Sequence, residues 1–202
     1  LLIVLGGVLM NFVGAIVIFA AILFTWGKET LPLENVTQGY DYTEVALANG
    51  FRNGDIITKV DGKPVHQLAD VVEQVMLENS KEVSVLRNGQ EETIALPKDF
   101  AKQMLAAQAK QFATPRFPFI IDGFALGSVA EKAGMRIGDS IVALNGISTP
   151  AFSDFVKEIS DKQGKEVEIS YFRVGKECKT KFKLGGDGKI GAVCKNPASI
   201  YK

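Results

Sequence analysis

The residues able to do acid–base, nucleophilic or metal chemistry are few. The chain holds one histidine, His66, and two cysteines, Cys178 and Cys194. A catalytic zinc needs three protein ligands, often His-Glu-x-x-His on one helix face plus a third. One histidine cannot supply that pair. His66 follows Pro64-Val65 and reads as an exposed loop imidazole. Neither cysteine lies in a C-x-x-C pair. Ser128 follows Gly127 outside any Gly-x-Ser-x-Gly elbow and suits a helix cap instead. No phosphate-binding loop occurs. The sequence therefore predicts no self-contained catalytic centre and a chain that is proteolytically inert by itself.

Asn11 stands out because of its surroundings. Residues 1–26 carry no charge, and the first charged side chain is Lys28. About 20 apolar residues cross a bilayer core at about 1.5 Å each, so residues 1–27 are expected to form a transmembrane helix in a lipid bilayer. A signal peptide would need a basic start, a shorter apolar run and a small-residue cleavage site. Trp26 sits at the polar end, where an indole suits the membrane interface. No Lys or Arg precedes the segment to set its orientation. An Asn within such a helix is costly unless paired. It is either functional or a packing contact, with Gly7 one turn earlier permitting close approach. The start at Leu1-Leu2-Ile3, without an initiator Met, fits a piece of a longer protein.

Beyond this segment the charges balance, with 23 basic and 23 acidic side chains. No basic stripe points to nucleic acid, and no acidic tail occurs. Two cysteines exclude a disulfide-dense scaffold.

An internal repeat sets the architecture. Ala46, Gly50, Gly54-Asp55, Ile57, Val60 and Asp61-Gly62 recur as Ala130, Gly134, Gly138-Asp139, Ile141, Leu144 and Asn145-Gly146, at a constant offset of 84 residues. In each copy a short helix ends at the first Gly, Gly-Asp makes a turn, a strand follows, and Asp-Gly or Asn-Gly closes it tightly. A helix is then expected over about Leu68–Glu78, with Leu68, Val71, Val72 and Val75 on one face. Its counterpart, about Phe152–Lys162, presents Phe152, Phe155, Val156 and Ile159 at the same spacing. Strands over Glu82–Arg87 and Glu92–Leu96 flank Asn88-Gly89, and strands over Glu166–Arg173 and Cys178–Leu184 flank Gly175. Phe100–Phe112 looks helical and is stopped by Pro115 and Pro118. Cys178 and Cys194 are expected close together, on strands flanking the Gly-Gly-Asp-Gly turn at 185–188, with a disulfide open to them in an oxidising compartment.

Each copy resembles a PDZ domain in its order of turn-helix, strand, turn, helix, strand and strand. The resemblance implies an α+β fold: a transmembrane helix (1–27), a first PDZ-like domain (33–98), a helical connector (99–116) and a second PDZ-like domain (117–196), of the circularly permuted bacterial type. PDZ domains bind extended peptides by strand addition beside the helix and capture a terminal carboxylate with backbone amides. Gly188, Lys189, Ile190 and Gly191, before a strand over Ala192–Lys195, resemble such a loop; a plain hairpin turn is the other reading. Phe152, Phe155, Val156 and Ile159 are the pocket or the core. The first copy has no equivalent glycine loop and carries two prolines over Ala113–Phe119, so the second copy is expected to bind better.

Gly7-Val8-Leu9-Met10-Asn11 resembles the G-x-x-x-N motif of site-2 proteases, the intramembrane zinc metalloproteases, although many members carry Pro where Val8 stands. In the RseP-type (regulator of sigma-E protease) branch, PDZ domains follow this helix, and the zinc ligands lie on membrane helices outside this stretch. The resemblance implies that Gly7 and Asn11 contact substrate and that zinc belongs to the parent enzyme rather than to this chain. It also implies membrane-protein or peptide substrates and a bacterial inner-membrane location, with the PDZ domains on the periplasmic or extracytoplasmic side. A membrane-tethered PDZ adaptor without protease activity is the competing reading.

Overall fold

The computed structural model describes residues 2–26, 31–109 and 111–201. Positions 1 and 27 of the expected membrane segment lie outside them, as does Lys28, and the side chain of Trp26 is likewise not described. The chain divides after position 30 into two units. The first is α1 (Leu2–Trp26). Its stretch Gly6–Thr25 is long and apolar enough to cross a membrane by length and composition. The hydroxyl of Thr25 donates to the Ala21 carbonyl at 2.7 Å, which satisfies it within the helix.

The second unit is a mixed α+β structure in two halves. A 3-10 turn at Leu33–Asn35 leads into β1 (Tyr40–Tyr42), α2 (Glu44–Ala48), β2 (Ile56–Val60), β3 (Lys63–Pro64) and α3 (Leu68–Leu77). Then come β4 (Glu82–Arg87), β5 (Gln90–Ala95), α4 (Phe100–Ala106) and β6 (Ala113–Pro115). The second half runs β7 (Phe119–Phe124), α5 (Val129–Lys132), β8 (Ser140–Leu144), β9 (Ile147–Ser148), α6 (Phe152–Ile159), β10 (Glu166–Arg173), β11 (Lys176–Lys183), β12 (Ala192–Cys194) and α7 (Pro197–Ile200). In the first half β3, β2, β4 and β5 form one antiparallel sheet, while β6 returns to pair with β1. In the second half β11, β10, β8, β7 and β12 are neighbours in that order, with β9 on β8. In both halves the last strand pairs with the first.

The repeated residues have repeated jobs. Ala46 in α2 and Ala130 in α5 are fully buried. Asp55 accepts from the Arg52 amide at 2.8 Å and pairs with Arg87 at 2.6 Å, and Arg87 reaches on to the Gly50 carbonyl. Asp139 likewise accepts from the Arg136 amide and pairs with Arg173, which donates on to the Gly134 carbonyl. Each Gly-Asp thus ties the helix end, the turn and a distant strand together. Asp61 accepts from the amides of Lys81 and Glu82, and Asn145 accepts from that of Glu168, so the second motif aligns the next strand.

Simple alternation predicts Ile57 and Val60 on opposite faces, yet both are buried. The register between β2 and β4 skips Thr58, and that between β8 and β10 skips Val142. These equivalent bulges turn the second part of each strand over. Their carbonyls are used, by the amides of Val65 and Thr149.

Two apolar clusters result, one per half. The stretch 99–116, read as a connector, contributes Phe100, Met104, Phe112 and Ala113 to the first cluster. Its helix ends at Ala106, short of the expected Phe112, because the following residues are drawn into the strand pairing of Ala113–Pro115 with Tyr40–Tyr42. Lys110 lies outside the described residues. The expected closeness of Cys178 and Cys194 is overturned. They lie on β11 and β12, opposite edges of one sheet with β10, β8 and β7 between them, and both thiols are free. The residues at 185–188 are a crossover between edges rather than a hairpin.

The halves meet at Arg116, which is 8% exposed. Its guanidinium bonds Asp41 of β1 at 2.6 Å and Asp154 of α6 at 2.5 Å. Its amide donates to the Gly39 carbonyl, and its carbonyl accepts from the Tyr201 hydroxyl. Tyr201 in turn accepts from the Asn35 side chain at 3.1 Å, so the chain after α7 straps the second half to the first. Burial pushes the Tyr201 hydroxyl pKa up, so it stays a neutral donor there.

Candidate functional site

A binding groove beside a sheet needs an open strand edge, a facing helix and apolar side chains between them. The first half provides all three. The face of α3 and the strand β6 border a groove of about 720 Å³, lined by Leu68, Val72, Met76, Met104, Phe112 and Ala113 among others. Leu68, Val72 and Met76 recur every four residues and are half-buried, whereas Val71 and Val75 face the core. The helix thus divides one apolar stripe between core and groove.

The register fixes what β6 offers. The Thr43 amide donates to the Phe112 carbonyl, and the Arg116 amide to that of Gly39. Alternation then turns the Thr114 amide and carbonyl toward β1, and those of Ala113 and the carbonyl of Pro115 outward. Pro115 has no N–H. An added strand would meet one donor, at Ala113, and two acceptors. The two prolines over Ala113–Phe119 are why the sequence favours the second copy as the better binder. Only the folded register shows that the missing donor is confined to one position.

The second half differs. Phe155 and Ile159 are buried in its core. Phe152 stacks on Phe117 with ring centroids 5.7 Å apart and meets Phe119 edge-on. Val156 is exposed. Phe152 and Val156 border a pocket of about 420 Å³ shared with Asp41, Pro115, Arg116 and Phe117, at the junction of the halves. The structure thus buries Phe155 and Ile159, leaves Val156 exposed and holds Phe152 half-buried between core and pocket.

Gly188, Lys189, Ile190 and Gly191 form the approach to β12. Gly188 and Gly191 have positive φ, and a side chain on Gly191 would come within 2.8 Å of Ser128 Cα. The Gly188 amide is spent on the Gly185 carbonyl and the Lys189 amide on the Asp187 carboxylate. Ile190 is buried, and its carbonyl accepts from the Ser128 hydroxyl and the Ala130 amide. Capture of an anion here would fall to the amides of Ile190 and Gly191. Ser128 caps α5 through the Glu131 amide, as its position before that helix predicts. Burial pushes the Cys194 thiol pKa up, which disfavours the reactive thiolate.

On α1, Gly7 and Asn11 lie one turn apart on one face. Both are exposed, and nothing lies within 4 Å of a side chain built on Gly7. Among the described residues no three His, Cys, Asp or Glu side chains come together as metal ligands. They do not fit a zinc site, and no step through zinc is assigned to them.

Residues 43–97 match the PDZ domain family, and the chain contains a PDZ domain there. It is similar to a do/HhoA-like protein of Haemophilus influenzae described as a periplasmic serine protease, at 41% identity over 61 residues, 30% of this chain and 13% of that protein. It is similar to a Lactococcus lactis protein described as a zinc metalloprotease, at 37% over 70 residues, 33% of this chain and 16% of the other. The pro-apoptotic serine protease nma111 of Aspergillus oryzae is 26% identical over 145 residues, 63% of this chain and 14% of that one. The chain thus spans about one seventh of the length of these relatives. Among solved structures, the PDZ domain of the SdrC-like protein of Listeria monocytogenes is similar, with a TM-score of 0.34 and 23% identity, over 40% of this chain and 90% of that one.

Proposed function

We propose that this chain is the membrane-anchored tandem PDZ region of an RseP-type site-2 intramembrane zinc metalloprotease, and that its two halves hold or gate membrane-protein substrates. The observation that carries the reading is an apolar helix bearing Gly7 and Asn11 in G-x-x-x-N spacing ahead of a duplicated PDZ-like unit. The similarity to the Lactococcus lactis metalloprotease supports it. In this reading α1 spans a bacterial inner membrane, with the rest on its extracytoplasmic side. The second half is then also a PDZ domain, permuted so that β12 is its ligand strand.

The groove between α3 and β6 takes an extended apolar segment. The amides at Ile190 and Gly191 take a terminal carboxylate. Asn11 contacts an extended substrate near a zinc held by helices beyond this chain.

The similarity to the serine protease of Haemophilus influenzae favours a second reading, a PDZ region serving a soluble protease domain. Full-length protein from the same gene separates the two. The first reading expects bound zinc, cleavage of a single-span membrane substrate that stops with chelator, and a marked loss of turnover in Asn11→Ala with the fold intact. Chelator-resistant cleavage, or normal turnover by the variant, overturns it.

A further inference from the structure

We propose that one end of the second half, built from Ile137 and Val174, docks shallowly into the surface of an anionic bilayer. Val174 is at the tip of the β10–β11 hairpin, 98% exposed, with φ at +48°. A β-branched residue is poorly suited to that conformation. The equivalent tip of the first half carries Asn88-Gly89, the residue pair such a turn favours. Ile137, 65% exposed, occupies the position that Asn53 holds in the first half. Two polar sites in one copy are therefore exposed aliphatic sites in the other.

They belong to one end of the module. Phe172 pairs with Ser140 between β10 and β8, and continuing that register brings Val174 level with Gly138. Arg173 locks the two segments together through Asp139 and the Gly134 carbonyl. Phe172, 42% exposed, extends the apolar surface along β10.

The charges around the tip choose the occupant. Lys132, Arg136 and Lys176 are exposed beside it, with Glu131 and Glu177 as the acidic neighbours. Where Lys176 stands, the first half has Gln90, followed by Glu91 and Glu92. A protein partner needs roughly 800 Å² of complementary surface on each side, which two aliphatic tips do not offer. A bilayer needs no complementary shape, accepts small apolar wedges and attracts the cations beside them. The proposal rests on α1 spanning a membrane and is independent of the protease reading.

The test uses the whole chain with Cys178→Ser and Cys194→Ser. Single Ile137→Cys, Val174→Cys and Asn88→Cys variants carry an environment-sensitive dye. They are reconstituted into phosphatidylglycerol or phosphatidylcholine vesicles containing nitroxide-labelled lipid. The dyes at 137 and 174 are expected to be quenched in phosphatidylglycerol and much less so in phosphatidylcholine, with the dye at 88 unquenched in both. Neutralising Arg136 and Lys176 to Gln lowers the docked-to-free ratio by about 25-fold, at about five-fold per cation. Unquenched dyes in phosphatidylglycerol, or equal quenching at 88, overturn the proposal. Shielding that grows with protein concentration in detergent assigns the tip to a second copy and also overturns it. Chain that fails to float with vesicles defeats the membrane reading as well, whereas chain that floats with unquenched dyes defeats this proposal alone.

Discussion

Asp139 shows how one carboxylate holds a turn. It is 1% exposed. Burial alone would raise its pKa, but the Arg173 guanidinium and the Arg136 amide outweigh burial and hold it below its ordinary 3.8. A depressed folded pKa means that the unfolded chain binds the proton more readily. The stability it contributes is full above the ordinary value and is lost as pH falls through the folded one. Asp139→Asn should therefore lower the melting temperature at neutral pH, and the gap to the unmodified chain should narrow below about pH 4. Thermal melts across pH check this; a gap independent of pH contradicts it. At Val174 the left-handed backbone costs a non-glycine residue about 1–2 kcal/mol. Val174→Asn should stabilise the chain by about 1 kcal/mol, read as a raised urea midpoint. Gly39 is the opposite case: a Cβ there would sit 2.2 Å from the Gly54 carbonyl oxygen, so no other residue fits.

At the scale of elements, α3 and α6 look interchangeable in sequence and do different work. Val72 lines the first groove from α3, so Val72→Glu should weaken binding of an apolar extended peptide by roughly ten-fold, about 1.4 kcal/mol. Titration followed by amide shifts on β6 measures it, and unchanged affinity would remove the groove from the binding surface. On α6, Phe155 belongs to the core and Phe155→Ala should cost about 3–5 kcal/mol. Val156→Ala should cost under about 0.5 kcal/mol because the side chain is exposed. The helical period marks all of these positions as apolar. It cannot say which flank of the stripe meets a core and which a groove, because that depends on what packs opposite.

For residues 31–201 as a whole, Arg116 governs how the halves are joined. Replacing it with Met strands the carboxylates of Asp41 and Asp154 and should cost on the order of 3 kcal/mol. The Tyr201 strap acts through the backbone carbonyl and would remain. The expected result is a pair of intact halves with new freedom between them, seen as a larger radius in solution scattering and as separate tumbling in relaxation measurements. Unchanged tumbling would show that the strap alone sets the angle.

The sequence by itself determined the duplication, the turns at Gly54-Asp55 and Gly138-Asp139, the long apolar helix, and the places of β2, β4, α3, β8, β10 and α6. These features rest on local chemistry: glycine at positive φ, apolar periodicity, and the absence of charge before Lys28. Strand edges, by contrast, are decided by partners far along the chain. The pairing of β6 with β1 ended an expected helix at Ala106 rather than Phe112, left an open groove in the half expected to bind less well, and confined the missing donor on that strand to Pro115. The crossover from β11 to β12 put Cys178 and Cys194 on opposite edges. The bulges at Thr58 and Val142 reversed the alternation that strand geometry alone predicts. Arg116 looked like linker in the sequence, because its two carboxylates lie 75 and 38 residues away. Such contacts depend on which surfaces meet once both cores have formed, and no local pattern encodes that.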